Sequence, residues 1–357
     1  MIKHGLLIPL LLCLLFPQAS SADTLMLPSE SVAAMLLGGP PRCLVSPGGR
    51  YSWENGELEP LEGLFSFHTR GQQALQARYT ISESAARGEV FRGSFLFNEP
   101  IDRLDIAMQS EAEGSSVKIR GFPLDESGLR WCFLLGIAST AEAGSYSLQV
   151  RASRGRRFLL YLDNVEVRHR SFAREQIAFN QALSELLTVP DERKIEEYRE
   201  LGKMLVSFHA RSVFHTGTLA LPVESKRRTS LFADRRLYSY TDGGSSHSLH
   251  NGIDLAAPTG TPVFASAAGR VTMARPRIIS GNSVVIEHLP GVFTLYFHLE
   301  DIEVREGQRV HQGQRIATVG MTGLATGPHL HWELRIGGVA VDPDYLVANP
   351  MIDKTLF

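Results

Sequence analysis

The chain has 357 residues, of which 43% are hydrophobic and 21% are charged, and its formal net charge is −2. This length allows two or three domains, each large enough to bury a core of its own. So balanced a composition excludes a disordered or fibrous protein, and the near-neutral charge gives no reason to expect nucleic acid or an anionic membrane surface as a partner. Local features of the sequence must therefore indicate what the protein binds.

The N-terminus has the pattern of a secretory signal peptide. In "MIKHGLLIPLLLCLLFPQASSADT", a basic start at Lys3 precedes an apolar run over residues 5–16, and Ala22 ends a stretch of small residues. A membrane anchor is the alternative, but the run is shorter than the roughly 20 apolar residues that a spanning helix needs. Cys13 lacks the small preceding residue that lipoprotein processing requires. We predict that residues 1–22 are a signal peptide, that the mature chain has no stable membrane span, and that it is periplasmic or secreted.

Two cysteines, Cys43 and Cys132, remain after this cleavage. In an oxidising compartment they could form one disulfide, and two separately buried thiols are an equally good interpretation. Neither has a histidine nearby in the sequence, so a catalytic cysteine is not expected.

Short β-like stretches separated by Gly, Pro, Asn or Ser follow one another over residues 23–170. In "GSYSLQV", alternation places Tyr146, Leu148 and Val150 on one face. This rhythm is typical of an antiparallel β-sandwich. The region contains no cluster of His, Asp, Glu or Cys with ligand spacing, so we predict an accessory domain that binds or positions a partner.

The character of the sequence changes over residues 171–215, which we predict to be a helical connector. In "PDERKIEEYRELGKMLVSF", apolar residues recur at helical intervals, and Asp191 follows Pro190, where the start of a helix favours an acidic residue. The preceding "REQIAFNQALSELL" fits a strand or a helix, and its pattern does not decide between them.

Glycine and β-branched residues return over residues 216–349, with turn signals at short, regular spacing. This pattern predicts a second antiparallel β domain, followed by a tail over residues 350–357. The protein as a whole is therefore expected to be mainly β. Six of the twelve histidines fall between His250 and His331, within this second domain.

Two motifs in this domain have the residue types of a metal site. "SLHNGID" places His250 four residues before Asp254, with a turn at Asn251-Gly252 between them. In "HLHW", strand alternation puts His329 and His331 on the same face, about 6.6 Å apart along the strand. Two buried imidazoles without a functional partner would be two polar groups to satisfy for no gain. His250, Asp254 and one of His329 and His331 therefore form a nitrogen and oxygen ligand set suited to Zn²⁺, with a fourth position for water.

A third motif, "TLYFHLEDI", ends an alternating strand at His298, which by alternation shares its face with Tyr296. The sequence has no H-E-x-x-H motif, so the glutamate base of the commonest zinc proteases is missing. A histidine would have to act as the base. His288 and His311 have no partner motif, and we predict that they are structural or exposed.

These motifs and their order in the chain resemble those of the lysostaphin/LytM-type zinc metallopeptidases, which are peptidoglycan endopeptidases. The resemblance is carried by "HNGIDLAAPTGTPVFASAAGRV", "GNSVVIEH", "LYFHL", "TGPHLHWELR" and "VDPDYL", and it covers about residues 216–347. The segment before the first motif is also similar to the family, although Ala233 stands where a glycine is usual. The sandwich-like first half and the connector are more loosely similar to an exported Gram-negative subgroup.

The resemblance implies that His250, Asp254 and His331 bind one Zn²⁺ per chain, while His298 and His329 are catalytic histidines without a metal bond. One of them would take a proton from the attacking water, and the other would donate to the developing oxyanion or leaving amine. The implied activity is hydrolysis of peptide stems or cross-links of peptidoglycan, as in a D,D-endopeptidase. Which bond is cut stays open.

Two features of the sequence bear on functions other than hydrolysis. A hairpin in "VREGQRVHQGQRIATVG" resembles lipoyl and biotinyl carrier domains, but residues 227–353 contain no lysine to modify. A non-catalytic envelope scaffold that activates another murein hydrolase is the alternative function, and the complete set of five site residues favours the enzyme over it. An envelope regulator is a further candidate partner.

The long non-catalytic portion of the chain also suggests a shielding hypothesis, in which the first domain or the connector covers the cleft until it is released. Equal specific activity of the full-length and shortened chains would exclude this hypothesis.

Overall fold

The computed structural model describes residues 73–112, 114–225 and 227–357, together with the backbone of four strands before them: β1 (Leu44–Val45), β2 (Tyr51–Trp53), β3 (Gly56–Leu61) and β4 (Leu64–His68). Strands dominate the described residues, so the predicted mainly β class is confirmed. The signal peptide predicted at residues 1–22 and the thiol of Cys43 lie outside the described residues. None of the helices in the described part of the chain is long and apolar enough to span a membrane.

Two sheets pack face to face in the first part of the chain. The larger has the order β1-β2-β3-β4-β13-β12-β8-β9, with β6 added to β13, and the smaller has the order β10-β11-β7-β5. The added strands are β5 (Ala77–Ile81), β6 (Ser84–Ala86), β7 (Val90–Phe97), β8 (Arg103–Ser110), β9 (Ser116–Arg120), β10 (Phe122–Pro123), β11 (Arg130–Gly136), β12 (Gly144–Arg154) and β13 (Arg157–Arg168). Phe91 and Phe133 of the smaller sheet join Leu148 and Val150 of the larger in one buried cluster. The predicted sandwich is therefore present, and Tyr146, Leu148 and Val150 face its core as the alternation requires.

The connector begins with a strand and continues as two helices. β14 (Arg174–Ala178) precedes α1 (Gln181–Thr188) and α2 (Glu192–Leu205). The Asn180 side chain caps α1 by accepting a hydrogen bond from the backbone N–H of Leu183, and Asp191 caps α2 in the same way. The helix predicted after Pro190 is present, and the stretch that fitted either structure contains both. The connector therefore contains a strand as well as the predicted helical part, because β14 pairs with a strand of the following domain.

The second domain is built on one large antiparallel sheet of order β15-β18-β25-β22-β21-β20-β23, with β24 against β22 and β19, and β26 against β25. A small sheet, β14-β16-β17, lies beside it. The elements are β15 (Arg228–Ser230), β16 (Arg235–Ser239), β17 (Ser245–Leu249), β18 (Gly252–Ala256), β19 (Pro262–Phe264), β20 (Gly269–Arg277), β21 (Gly281–Leu289), β22 (Val292–Ile302), β23 (Arg309–Val310), β24 (Arg315–Val319), β25 (His329–Ile336), β26 (Val339–Val341) and α3 (Pro343–Ala348). All strand pairs within the large sheet are antiparallel, as predicted.

The two domains share a hydrophobic core. Cys132 and Leu134 of the sandwich belong to the same buried cluster as Leu334 and Val341 of the second domain. At Gly136 an added Cβ would lie only 2.9 Å from a side-chain carbon of Val341, so the strands approach closely. This continuous apolar contact holds the sandwich against the second domain, since burial of apolar surface is the main stabilising term in such interfaces.

Cys132 is a free thiol in this shared core. Its Sγ lies 3.4 Å from the Ser94 hydroxyl, and burial raises its pKa to about 12. It is therefore protonated and unreactive at neutral pH.

His288 is part of the core of the second domain, as predicted for a structural histidine, whereas His311 is exposed. His288 Nδ1 donates a hydrogen bond to the carbonyl of Ala268 at 2.8 Å, and Nε2 lies 2.7 Å from the Thr294 hydroxyl. Burial lowers the pKa of His288 to about 4, so the imidazole is neutral in the folded protein at pH 7.

This buried imidazole predicts a loss of stability in acid. Its pKa is lower in the folded chain than in the unfolded chain, about 6.5, so its contribution is present above pH 6.5 and is lost as the pH falls towards 4. Between pH 7.5 and 4.5 the loss should amount to about 1–3 kcal/mol in the free energy of unfolding. Denaturant unfolding of the chelator-treated protein and of His288→Asn at both pH values measures this loss. The free energy of unfolding should change less with pH in the variant than in the unaltered chain. An equal change in both proteins would contradict the prediction.

Candidate metal centre

Three adjacent strands bring the candidate site together. Asp254 of β18 pairs with His331 of β25, and His331 pairs with Phe297 of β22. On the other face of these strands, Trp332 and Tyr296 lie in the core. The two-residue strand period thus separates a core face from a site face, as predicted from "HLHW".

The turn before β18 lets the first histidine reach this face. A Cβ at Gly252 would lie 2.3 Å from the carbonyl oxygen of Trp332, so only glycine allows the close approach of β18 to β25. Ala233, in the turn between β15 and β16, has a φ of 62°, which is the left-handed region that favours glycine. Its N–H donates to the carbonyl of His250 at 2.7 Å and so anchors the backbone of that residue.

The side chains of His250, Asp254 and His331 converge on one point. His250 Nε2 lies 3.0 Å from Asp254 Oδ1 and 2.9 Å from His331 Nδ1, and the distance from His331 Nδ1 to Asp254 Oδ1 is 2.8 Å. All three residues are buried, and among the described residues they form a group whose geometry could hold a metal ion.

A second set of groups orients these three side chains. His250 Nδ1 donates to the carbonyl of Leu231 at 2.7 Å, which leaves Nε2 for the site. His331 Nε2 lies 3.0 Å from a Glu333 carboxylate oxygen, which leaves Nδ1. The guanidinium of Arg236 donates to Asp254 Oδ2 at 2.7 Å, which leaves Oδ1. Partners of this kind fix the tautomer and orientation of metal ligands.

The carboxylate of the site is held in its charged form, which suits a cation. Burial by itself raises the pKa of Asp254, but its contacts with the His250 and His331 side chains outweigh that effect and hold the pKa well below the ordinary value. Burial lowers the pKa of His250. It also opposes charge on His331, but hydrogen bonds to Asp254 and Glu333 raise the pKa of His331 to about 9. A cation bound between these side chains would likewise be stabilised by the buried carboxylates.

The donor set fits Zn²⁺. The ion accepts imidazole nitrogen and carboxylate oxygen in tetrahedral geometry with bonds of about 2.0–2.1 Å, which places ligand atoms about 3.3 Å apart. The three atoms would have to separate by only a few tenths of an ångström. The ligand atoms therefore suit a single zinc ion with a fourth position left over.

His329 and His298 lie beside this cluster. His329 Nε2 is 3.7 Å from Asp254 Oδ1, and its Nδ1 donates to the carbonyl of Gly327 at 2.7 Å. The ring centres of His298 and His329 are 4.9 Å apart. His298 Nδ1 donates to the carbonyl of Thr322 at 2.8 Å, so its Nε2 carries the free lone pair. Burial, followed by the charges of His329 and His331, lowers the pKa of His298 to about 3. All five residues singled out in the sequence are thus neighbours.

The prediction that His298 shares a face with Tyr296 is wrong. Tyr296 lies in the core, whereas His298 lies with His329 and His331 on the site face. The register shifts by one residue between the pairs Val284↔Tyr296 and Asn282↔Leu299, and His298 has a φ of 60°. This β-bulge rotates the imidazole to the other side of the sheet, which strand alternation cannot anticipate.

Sequence reasoning missed Glu333 and Arg236. Glu333 could have been found, because it follows His331 by two residues and so lies on the same strand face. Arg236 gave no signal, since it reaches Asp254 from a strand of the smaller sheet.

The connector helix α2 packs on the face of the large sheet that carries the site. Leu201, Met204 and Leu205 contact an apolar cluster on that face: Met273, Val285, Phe293, Leu295 and Phe297. The Phe297 ring in turn stacks on His331, with ring centres 5.7 Å apart and planes 7° apart. Glu197 of α2 also accepts a hydrogen bond from the N–H of Ile278 at 2.9 Å. The helix thus packs on the sheet beside the site, and the shielding hypothesis stays a prediction.

A buried His-Asp-His cluster on a β-sheet, with two further histidines beside it, is typical of metal-dependent hydrolases. Comparison with known proteins identifies one domain of the chain. Residues 248–343 match the profile of peptidase family M23, and the chain therefore contains an M23 peptidase domain. This agrees with the resemblance to lysostaphin/LytM-type enzymes drawn from the motifs.

Curated relatives share this domain. The chain is 48% identical over 122 residues to the peptidoglycan DD-endopeptidase ShyA of Vibrio cholerae, an alignment that covers 34% of this chain and 28% of the relative. It is 53% identical over 95 residues to the DD-carboxypeptidase/endopeptidase Mpg of Neisseria meningitidis, covering 27% and 22% respectively. The chain thus matches less than a third of the length of these relatives.

A solved structure matches more of the chain. The crystal structure of a putative peptidase M23 from Pseudomonas aeruginosa is 25% identical, with a TM-score of 0.50, and the match covers 74% of this chain and 95% of that one. The match extends well beyond the M23 domain, so part of the first half of the chain has a counterpart there too.

Proposed function

We propose that the protein is a zinc-dependent endopeptidase that hydrolyses peptide cross-links or stems of peptidoglycan and so remodels the cell wall. The observation that carries the proposal is the convergence of His250 Nε2, Asp254 Oδ1 and His331 Nδ1 within 3.0 Å of one another. The names of the relatives supply the substrate class. The scaffold alternative is not favoured, because a protein that only activates another hydrolase has no need for a complete ligand set.

Three residues would hold the ion, and each keeps one atom for it. His250 and His331 each use one ring nitrogen in a hydrogen bond to the protein, and Asp254 uses one carboxylate oxygen. Zn²⁺ bound in this way supplies Lewis acidity towards a carbonyl group and a water molecule. Because the ligand side chains are held by hydrogen bonds, little rearrangement is needed when substrate arrives.

His298 and His329 would move the protons. The neutral His298 imidazole keeps its lone pair on Nε2, and Thr322 fixes the ring through Nδ1. His329 is held in the same way through Gly327, and its Nε2 faces the cluster near Asp254. One imidazole would accept the proton of the attacking water, and the other would donate to the oxyanion or leaving amine. Positioned proton transfer of this kind contributes about 10²–10⁴ in rate.

The substrate requires a location outside the cytoplasm. The signal-peptide pattern of residues 1–22 supports export to the periplasm or beyond. The free thiol of Cys132 is compatible with an oxidising compartment, because a buried, protonated thiol is protected from oxidation.

Digestion of purified sacculi tests the proposal. The mature chain loaded with one zinc per molecule should release soluble muropeptides, and mass spectrometry of the products identifies the bond, whether D-Ala to a diamino acid or Gly-Gly. Treatment with a chelator should abolish release, and added Zn²⁺ should restore it. Intact sacculi after incubation with the zinc-loaded chain, together with stimulation of a second hydrolase by the same chain, would favour the scaffold.

A further inference from the structure

A chain of side chains links the connector to the candidate metal centre. Glu175, on β14, has a carboxylate oxygen 3.1 Å from Nε of Arg236. The same guanidinium donates through Nη2 to Asp254 Oδ2 at 2.7 Å. Arg236 thus bridges two carboxylates, one in the connector and one in the ligand set.

The backbone makes this bridge possible. β14 and β16 pair in parallel, and Glu175 stands directly opposite Arg236 in the register. Ser230 of β15 holds the Glu175 carboxylate from the other side, with its hydroxyl donating to the same oxygen at 2.8 Å. The side chain of Arg236 is only 12% exposed and that of Asp254 only 9%. The Arg236–Asp254 pair is thus much less screened than a surface pair, whereas the Glu175 side chain is 33% exposed.

Arg236 determines which oxygen of Asp254 is available to a metal ion. A carboxylate with both oxygens free can bind a metal through one or both of them, but Arg236 occupies Oδ2 and leaves Oδ1 with the two histidines. A planar guanidinium holds its partners in a fixed geometry when both sides are occupied. Glu175 occupies the Nε side, and Tyr238 is a further side-chain hydrogen-bond partner of the guanidinium. Loss of Glu175 would therefore loosen Arg236, and Asp254 with it, without releasing Arg236 completely.

We propose that Glu175 is a positioning residue of the metal centre and acts through Arg236 on Asp254, so that connector strand β14 is part of the site. Glu175 contacts Arg236, and Arg236 in turn contacts the ligand Asp254. The proposal rests on the metal site of the proposed function, but not on its substrate.

Zinc affinity, measured by competition with a chromophoric chelator on the full mature chain, tests this role. Arg236→Ala should weaken the affinity about 10–100-fold, as loss of an outer partner of a metal ligand does. Glu175→Ala should weaken it about threefold to tenfold, because Arg236 remains. Gln176→Ala, the next position on β14, is the matched control. Its amide donates to the Ser239 hydroxyl rather than to the site, so its affinity should be unchanged.

The double variant Glu175→Ala/Arg236→Ala separates positioning from a general structural effect. If Glu175 acts through Arg236, the double variant binds zinc no more weakly than Arg236→Ala alone. Additive losses, or an unchanged affinity in Glu175→Ala, would overturn the proposal. Failure of the unaltered chain to bind zinc would instead overturn the metal site itself.

Cobalt substitution gives a second readout that does not depend on activity. The visible spectrum of bound Co²⁺ reports ligand geometry, so Glu175→Ala should shift it and Gln176→Ala should not. Glu175→Gln, whose amide oxygen can still accept from Arg236 and Ser230, should shift it less than Glu175→Ala. Thermal unfolding of the metal-free variants shows whether they fold. Identical cobalt spectra in folded Glu175 variants and in the unaltered chain would contradict the role.

Discussion

His331→Ala should lose both metal and activity. The change removes Nδ1, one of the three converging ligand atoms, and leaves only His250 and Asp254. Two ligands do not hold Zn²⁺ against a chelator, because catalytic zinc sites use three protein ligands. Zinc content by metal analysis and release of muropeptides from sacculi should therefore both fall to the background.

The His331→Ala variant should still fold, because the two carboxylates beside His331 keep other partners. Glu333 keeps its bond to Nε of Arg335 at 2.6 Å, and Asp254 keeps Arg236, so the change leaves neither buried carboxylate without a cation. His311→Ala is the matched control, since His311 is exposed and distant from the cluster in the sheet order. Retention of one zinc per chain by His331→Ala would contradict its assignment as a ligand.

His298→Ala should show the opposite combination, with zinc retained and turnover lost. The His298 ring lies beside the ligand cluster, 6.0 Å from the His331 ring between centres, but its nitrogen is not among the converging atoms. Loss of a positioned proton acceptor or donor costs about 10²–10⁴ in rate. The rate of muropeptide release should fall by that factor while zinc content stays at one per chain.

The backbone at His298 calls for a second variant. Asparagine adopts the left-handed conformation more readily than alanine, so His298→Asn should fit the φ of 60° while removing the imidazole. Both variants should lose turnover alike, and His298→Asn should have the higher unfolding temperature. Zinc loss in a folded His298→Asn would contradict the proposed division of roles between His298 and His331.

Strand periodicity explains what could be predicted of the site. A strand alternates its faces whatever its surroundings, so "HLHW" alone put both histidines opposite Leu330 and Trp332, and the structure agrees. The turn residues of "HNGID" likewise predicted a strand start rather than a helix, and β18 begins at Gly252. The sandwich was predictable for the same local reason.

Features that depend on contacts between distant segments could not be predicted. His298 faces the site because of a bulge against β21, and the shift appears only when the two strands are paired. The partial strand character of the connector depends on the parallel partner that β16 offers to β14. Arg236 reaches Asp254 from another sheet, and α2 covers an apolar surface that exists only after β20, β21 and β22 have assembled.

By itself, the sequence determined the mainly β class, the helix after Pro190 and the residue types of the candidate site, because these follow from local alternation, turns and caps. The tertiary structure alone decided which atoms converge, which side His298 faces and that Glu175 of the connector is joined to Asp254 through Arg236. The physical reason is that register, bulges and buried ion pairs are set by the partner strand, and a single segment carries no information about its partner.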